Sequence, residues 1–302
     1  MTESIRQQRQ QTAPSEAAHR ALARDYPLEE SHKSYHTIVE QQTSEAEEEL
    51  ARPASALALS GLAAGLDLGF GPLAMAISLT LTAGELATPA QAFLSANLYS
   101  IGFIFVVLGR SALFTERTTS AVLPVLARRA SIAKLFRLWG IVLAANIVGG
   151  GLFAAMAVYL GPALGVVDPR TFGTLAEPLL DKSAVVTLAS AIVAGWLMGL
   201  LTWLSTAVRE TVSQIIVIWL AALVIGLGKL HHSIAGAIEV FMAMFAGTGV
   251  TLADFGRFIV LAAVGNAIGG AFLVGCLKYG SVEQSTDRDA GLRSGTKLPV
   301  EP

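Results

Sequence analysis

The sequence predicts an all-α membrane protein with six transmembrane helices, because its interior is nearly free of charge and contains six apolar segments. The chain of 302 residues is 53% hydrophobic and only 15% charged, whereas an ordinary soluble domain has about 25% charged residues. Sixteen charged residues lie in residues 1–52 and seven follow Lys278. This distribution predicts an acidic cytoplasmic tail over residues 1–52, a membrane domain over residues 53–280 and a cytoplasmic tail over residues 281–302.

Each of the six segments is long enough to cross a bilayer as a helix. The stretch between Arg52 and Glu85 contains one charged residue, Asp67. A helix needs about 20 apolar residues to cross a hydrocarbon core about 30 Å thick, and strands of outer-membrane barrels alternate in polarity instead. The segments therefore favour a helical bundle over a barrel. The other five, which contain no charged residue, cover residues 86–109, 138–167, 183–208, 211–228 and 258–277.

The polar ends and the composition exclude several other classes. Residues 1–52 hold six Lys/Arg and ten Asp/Glu and lack the apolar stretch of a cleavable signal peptide. Such a composition is typical of a solvated, partly helical or disordered tail. The net charge of −2 gives no reason to expect a nucleic-acid partner. The single cysteine, Cys276, excludes an internal disulfide framework.

The charges of the loops predict an orientation. Residues 127–137, between the second and third helices, include four basic residues and no acidic one, so this loop is expected in the cytoplasm. Alternation then places both termini in the cytoplasm and the loops at 84–91, 162–182 and 247–257 outside. These three outer loops together hold more acidic than basic residues, as the positive-inside rule requires.

Two motifs recur along the chain and predict an internal repeat. Asn146-Ile-Val-Gly-Gly matches Asn266-Ala-Ile-Gly-Gly at an offset of 120 residues, and Ala64-Gly65 matches Ala194-Gly195. Each half then contains three helices. Because an odd number of crossings reverses the direction of the chain, the halves are predicted to be inverted repeats, which place a substrate site near the midplane.

The second and fifth helices are both predicted to be broken. The second apolar run stops at Gly109-Arg-Ser-Ala-Leu-Phe-Thr-Glu-Arg117, and the fifth stops at Gly228-Lys-Leu-His-His232. The offset of 120 pairs Phe114 with Ile234. Broken helices at matching positions indicate a binding site, because irregular backbone at membrane depth is tolerated only where it lines a cavity or is buried in protein.

These features, in this order, resemble the formate/nitrite transporter family over about residues 55–280. The similarity is carried by Leu113-Phe114-Thr115, the basic loop after it, the two asparagine-glycine motifs and His231-His232-Ser-Ile-Ala235. The resemblance implies an aquaporin-like protomer, assembled as a homopentamer in the bacterial inner membrane. It also implies a pore in each protomer for small monovalent anions or their weak acids, in some members together with a proton.

The resemblance further implies which residues line the pore. The pore histidine of the family falls on His232, the threonine of its broken second helix on Thr115, and an aromatic constriction on Phe114. One helical face earlier, Tyr99 and Phe103 are further candidate constriction positions. A histidine at such a place can exchange a proton with a weak acid or hydrogen-bond to it, which lowers the large cost of moving an anion through hydrocarbon.

Some residues depart from the family pattern. The usual Glu-His pair is His231-His232 in this chain, the asparagine four residues after the histidine is Gly236, and Glu116-Arg117 replaces small polar residues. The chain therefore resembles a divergent branch whose substrate is unassigned.

Charged residues inside the membrane domain are costly and are usually functional or paired. Lys229 can line the pore and concentrate anions. His231 can line the pore, pack against the next protomer or hydrogen-bond to backbone. Alternatively, the charges stabilise the two helix breaks, with Asp67 or Glu239 neutralising Lys229 or Arg117. Asn146 and Asn266 are predicted to be structural, through hydrogen bonds to the freed backbone. The candidates for charge pairing are Asp67, Glu116, Arg117 and Glu239.

Three functions are compatible with these residues. The favoured one is passive or proton-linked transport of a small monovalent anion or weak acid, and it needs no cofactor or metal. The alternatives are an aquaporin-like channel for small neutral solutes and a nonconducting membrane scaffold whose acidic tail recruits a partner. An enzyme is disfavoured, since residues 53–280 contain no nucleophile–base set, metal cluster or nucleotide-binding loop.

Overall fold

The computed structural model describes residues 33–281. The chain divides into the units Met1–Ser34 and Tyr35–Pro302, and every helix below lies in the second. Two apolar helices, Thr211–Leu227 and Ser233–Phe245, are shorter than a full crossing. The predicted all-α membrane class is confirmed. The helices of the described part that are long and apolar enough to cross a membrane are Ala54–Leu81, Thr88–Leu108, Ile132–Ala163, Ala184–Ala207 and Leu252–Ser281.

The helices begin and end where the local sequence requires it. Ser131 and Ser183 accept hydrogen bonds from backbone N–H groups in the first turns of the helices they precede, and Thr251 forms a reciprocal capping box with Asp254. The helices are α1 (Tyr35–Ala51), α2 (Ala54–Leu68), α3 (Phe70–Leu81), α4 (Thr88–Leu108), α5 (Phe114–Ser120), α6 (Leu123–Leu126), α7 (Ile132–Ala163), α8 (Pro169–Leu180), α9 (Ala184–Ala207), α10 (Thr211–Leu227), α11 (Ser233–Phe245) and α12 (Leu252–Ile268), which continues into a π-helical segment, Gly269–Cys276.

The N-terminal polar region is more ordered than its composition predicts. Residues 35–51 form α1, and one face of this helix is buried against the membrane domain. The apolar residues of that face, Ile38, Val39, Ala46 and Leu50, follow helical spacing. The partly helical alternative agrees with residues 35–51, whereas the predicted solvation of this stretch is wrong, because one face of the helix is buried. Residues 1–32 and 282–302 of the two predicted tails lie outside the described residues.

Polar contacts also hold α1 in place. Glu49, near its end, forms an ion pair of 2.7 Å with Arg117 of α5. Burial raises the pKa of Glu49, and the Arg117 guanidinium offsets part of that rise. Near the middle of the helix, Gln42 donates a hydrogen bond to the Thr202 carbonyl of α9, 3.1 Å away. The helix is thus anchored to two parts of the membrane domain.

We expect Glu49→Ala to loosen α1. The substitution leaves the largely buried Arg117 guanidinium without its carboxylate, and breaking such a pair costs about 3–5 kcal/mol when it is fully buried. Because the Arg117 side chain is 21% exposed, we expect about half of that cost. Limited proteolysis in detergent should cleave within residues 35–51 faster in Glu49→Ala than in the wild type. Glu48→Ala, the same change at an exposed position of α1, should behave as the wild type, and equal cleavage in the two variants would contradict the anchoring role.

The loop predicted over residues 162–182 contains a helix, α8. Asp168 caps it by accepting a hydrogen bond from Arg170 N, and five of its side chains are buried. The helix packs mainly against α11. The prediction failed here because α8 is short and only half apolar, so its stability comes from tertiary packing rather than from its own composition. The buried residues are Thr171, Phe172, Leu175, Ala176 and Leu179.

Two glycines let long helices touch backbone to backbone. A Cβ atom added at Gly65 of α2 would lie 2.3 Å from the Asn146 carbonyl oxygen of α7, and one at Gly195 of α9 would lie 2.2 Å from the Asn266 carbonyl oxygen of α12. Close approach through small residues is how membrane helices associate. The repeated glycines therefore bring each asparagine next to a helix break.

Candidate functional site

The first helix break lies between α4 and α5 and is held by Asn146. Its Oδ1 accepts a hydrogen bond of 2.8 Å from Phe114 N, and its Nδ2 donates to the carbonyls of Gly61 and Ala112 at 2.7 and 2.9 Å. One buried side chain thereby satisfies an N–H and a carbonyl of the break, which have no water to bind, and ties them to a carbonyl of α2. The residue after Gly109, Arg110, has a φ of 55°, so the chain turns sharply here.

The second break, between α10 and α11, is held in the same way by Asn266. Its Oδ1 accepts from Ser233 N at 2.7 Å, and its Nδ2 donates to the carbonyls of Ala191 and His231 at 2.8 and 2.9 Å. Lys229 follows Gly228 with a φ of 47°.

The two breaks therefore correspond at an offset of 119 residues, because the asparagines bind Phe114 N in one and Ser233 N in the other. The predicted pairing of Phe114 with Ile234 is wrong by one residue. The segment from the break to its asparagine is one residue longer in the second half of the chain than in the first. A sequence comparison without gaps cannot detect this difference.

His232 stands where α11 begins, almost fully buried. Its Nδ1 accepts a hydrogen bond from Ala235 N at 3.2 Å, and its Nε2 lies 2.9 Å from Thr115 Oγ1 at the start of α5. Since Nδ1 is the acceptor, the neutral ring carries its proton on Nε2 and donates it to Thr115. The two broken helices thus meet through one polar side-chain pair.

An aromatic series leads to this pair from α4. The Phe103 and His232 rings meet edge to face at 5.0 Å between centroids, and Tyr99 lies 5.1 Å from Phe103. Phe114 is also buried, and its ring packs 6.4 Å from Trp139. The structure therefore brings Tyr99, Phe103 and His232 into one row.

A cavity of about 230 Å³ adjoins this row at Tyr99. Lys229 and Glu239 both line it, and the rest of its lining is uncharged. Lys229 is exposed, whereas Glu239 is only 6% exposed. Within residues 33–281, neither side chain has an ion-pair partner within 4.0 Å. The expected neutralisation of Lys229 by Glu239 or Asp67 is therefore not observed.

The remaining candidates have other partners. Arg117 pairs with Glu49 rather than with Asp67 or Glu239, and Asp67 accepts a hydrogen bond of 3.3 Å from Ser111 Oγ. Glu116 lies beside Arg117 in the first turn of α5. Glu49 is absent from the sequence-based candidates. The apolar spacing of residues 38, 39, 46 and 50 was the signal that could have placed it on a buried helix face.

His231 has a different environment from His232. Its Nδ1 lies 2.9 Å from Ser190 Oγ, and its Nε2 lies 3.1 Å from the Leu179 carbonyl. Both ring nitrogens are therefore occupied, and the ring joins α8 to α9. This geometry matches the alternative of hydrogen bonding to backbone. No group of three or more potential metal ligands from His, Cys, Asp and Glu occurs in the described residues 33–281.

Comparisons with known proteins agree with this architecture. Inner membrane protein YfdC of Escherichia coli (strain K12) is 34% identical over 253 residues, which cover 82% of this chain and 79% of that protein. A solved structure titled "FNT family ion channel" superimposes with a TM-score of 0.72 at 22% identity and covers 81% of this chain and 98% of its own.

A second structure, titled "Pentameric formate channel with formate bound", has a TM-score of 0.64 at 19% identity and covers 75% of this chain and 96% of its own. These two structural likenesses concern the fold. The sequence model described as "Formate/nitrite transporter" matches residues 36–280, which is most of the chain. This protein therefore belongs to the formate/nitrite transporter family, a family of transporters and channels rather than of enzymes.

Proposed function

We propose that this protein transports a small monovalent anion, or its conjugate weak acid, of the formate or nitrite type across the bacterial inner membrane. The observation that carries this proposal is the buried His232–Thr115 pair, which lies where two broken helices meet and behind the row of Tyr99 and Phe103. The apolar side chains around the pair oppose the passage of ions and water. A neutral acid can pass because it can hydrogen-bond to the polar pair. Phe114 supplies the apolar constriction beside Thr115.

The proposed layout has six crossings in two inverted repeats, as in an aquaporin-like protomer. It is supported by the matching hydrogen bonds of Asn146 and Asn266, each of which satisfies one N–H and one carbonyl of a break and one carbonyl of a neighbouring long helix. In this layout α10 and α11 together make the fifth crossing. Loop charges support cytoplasmic termini, and the pentameric formate channel supports a homopentamer with a pore in each protomer.

The conducting role of His232 is tested by flux. Proteoliposomes containing the purified protein should take up formate and nitrite faster as the external pH falls, because more of the substrate is then neutral. His232→Ala removes the imidazole that is proposed to hydrogen-bond to the passing acid, and the loss of such a bond of about 1.4 kcal/mol at the transport barrier corresponds to an uptake about tenfold slower. His36→Ala, the same change at an exposed position of α1, should leave uptake unchanged. If intact oligomers take up no acid from a panel of formate, nitrite, acetate, lactate and hydrosulfide, the transport function is wrong.

A channel for neutral solutes is the second candidate. It is favoured by the cavity at Tyr99, whose lining residues other than Lys229 and Glu239 are all uncharged. Uptake of small neutral solutes such as glycerol, equal at all pH values and faster than uptake of any weak acid, would favour this candidate over acid transport.

A further inference from the structure

The carboxyl group of Glu239 lies in the cavity of about 230 Å³ that adjoins Tyr99, the first residue of the aromatic row. We propose that Glu239 is a proton-exchanging residue of the transport path, which protonates an anion held by Lys229 and so delivers the neutral acid to Tyr99 and Phe103. The inference rests on the proposed transport function and adds to it the step at which the substrate loses its charge.

The position of Glu239 follows from the fold. It lies seven residues after His232, two turns along α11, and therefore about 10 Å away on the same face of the helix. On α4, Tyr99 lies one turn from Phe103, whose ring touches His232. Both helices thus place the cavity on one side of the histidine, with the aromatic row between.

The charges of the cavity are unequal in exposure. Lys229 is exposed at the connection between α10 and α11, whereas Glu239 is only 6% exposed. An arriving anion therefore meets the ammonium first, and the ammonium raises its local concentration. A permanently ionised carboxylate deeper in the cavity would repel that anion. A carboxyl group that carries a proton instead can give it to the anion.

The groups that face Glu239 from the neighbouring elements are few. From α4 the titratable group is Tyr99, and from the connection before α11 it is Lys229. The cavity residues of α3 and α8 are uncharged, and α7 has no charged or imidazole side chain over residues 138–163. On α12, Asp254 bonds to Thr251, and Arg257 donates to the Lys182 carbonyl. The charged residues of α2 and α5, which also contact α11, do not line the cavity: Asp67 accepts from Ser111, Arg117 pairs with Glu49, and Glu116 lies beside Arg117. The α3 and α8 residues are Met75, Leu79, Thr174, Leu175, Pro178 and Leu179.

The exchange is balanced in protons and charge. A substrate oxygen takes the proton of the Glu239 carboxyl, so that one O–H bond breaks and another forms, and Glu239 becomes a carboxylate. The neutral acid moves on past Tyr99, and the carboxylate regains a proton from the aqueous side of the cavity. Lys229 balances the negative charge before and after the transfer.

His232 is less suited to this step. Its Nδ1 accepts from Ala235 N, and its Nε2 proton is directed at Thr115. Phe103 stands between its ring and Tyr99. Both nitrogens are engaged, so neither is free to protonate an arriving anion. The histidine can hydrogen-bond to the neutral acid by exchanging its bond to Thr115, while the first proton comes from the cavity.

The test is formate uptake by proteoliposomes of Glu239→Gln across a range of pH. At neutral pH, where formate in solution is ionised, we expect uptake at least about tenfold slower than in the wild type, equivalent to about 1.4 kcal/mol. In acidic medium the neutral acid arrives ready-made, and the variant should approach the wild type. Glu177→Gln, the same change at an exposed position of α8, should keep the wild-type profile. Faster uptake by Glu239→Gln at neutral pH, or an unchanged profile, would overturn the proposal.

A spectroscopic measurement separates this inference from the transport function. Infrared difference spectra of the purified protein should show a carboxylic acid band that disappears as the pH rises, is absent from Glu239→Gln and persists in Glu116→Gln. A wild type that shows this band but takes up no weak acid would contradict the transport function alone. A wild type that takes up formate without a Glu239-dependent band would contradict proton exchange alone.

Discussion

Replacing Asn146 by alanine is expected to destabilise the membrane domain strongly. The variant leaves Phe114 N and the Ala112 carbonyl of the break buried without a partner, whereas the Gly61 carbonyl keeps the hydrogen bond of its own helix. An unsatisfied buried group costs about 1–3 kcal/mol, so two cost about 2–6 kcal/mol. This is a large part of the free energy of unfolding of a typical protein, about 5–15 kcal/mol. Asn266→Ala should cause a loss of similar size, because it removes the equivalent three hydrogen bonds.

The measurement is thermal unfolding of purified protein in detergent, together with the yield of monodisperse oligomer. Asn146→Asp keeps the oxygen that accepts from Phe114 N but loses both donors, so it should fall between the wild type and alanine. Asn97→Ala is the comparison at another asparagine, which donates to the Phe93 carbonyl of its own helix and accepts from Trp219 Nε1 but binds no main-chain group of a helix break, and it should be tolerated better. A folded Asn146→Ala with an unfolding temperature near that of the wild type would show that these hydrogen bonds do not hold the break.

Gly65→Ala and Gly195→Ala are expected to have the next largest effects. The added methyl carbon would lie 2.3 Å from the Asn146 carbonyl oxygen in one case and 2.2 Å from that of Asn266 in the other. The atoms it meets are backbone, which cannot rotate away as a side chain does. Overpacking typically costs about 1–3 kcal/mol, and here we expect at least the upper value, because the helices must separate and the asparagines must move with them.

The matched control for both glycine variants is Gly140→Ala, in the interior of α7, where an added Cβ meets no atom within 4 Å. Alanine favours a helix over glycine by up to about 1 kcal/mol, so this variant should unfold at the same or a higher temperature. If Gly65→Ala and Gly140→Ala unfolded at equal temperatures, close backbone contact between α2 and α7 would not be needed for stability.

The features that could be predicted from the sequence are those that depend on local residue patterns. Apolar length predicts the membrane helices, and interrupted apolar runs followed by Gly109 and Gly228 mark both breaks. The asparagine motifs were predicted to bind freed backbone, and the structure places both asparagines at the breaks. These features share a cause: a main-chain polar group at membrane depth must be hydrogen-bonded within the protein. The residue that does so is polar, and it is conspicuous in an apolar sequence.

The features that could not be predicted depend on partners distant in sequence. The helix α1 owes its position to Arg117, and His231 owes its orientation to Ser190 and to the Leu179 carbonyl. The first membrane segment was predicted as one helix and is divided at Gly69 into α2 and α3, where Pro72 cannot donate a helical hydrogen bond to the Leu68 carbonyl. In each case the sequence shows an amphipathic or apolar stretch, and tertiary contacts decide how it packs.

The hydrogen bonds of Asn146 and Asn266 have a consequence for how this family can change. The two amides occupy the main-chain groups of Ala112, Phe114, His231 and Ser233 inside the protein. These groups are therefore not available to bind a solute. Discrimination among solutes is then a property of side chains, unlike that of filters built from backbone carbonyls. A single codon change in such a side chain can alter which solute is favoured while the scaffold keeps its shape, so one backbone can serve proteins with different substrates.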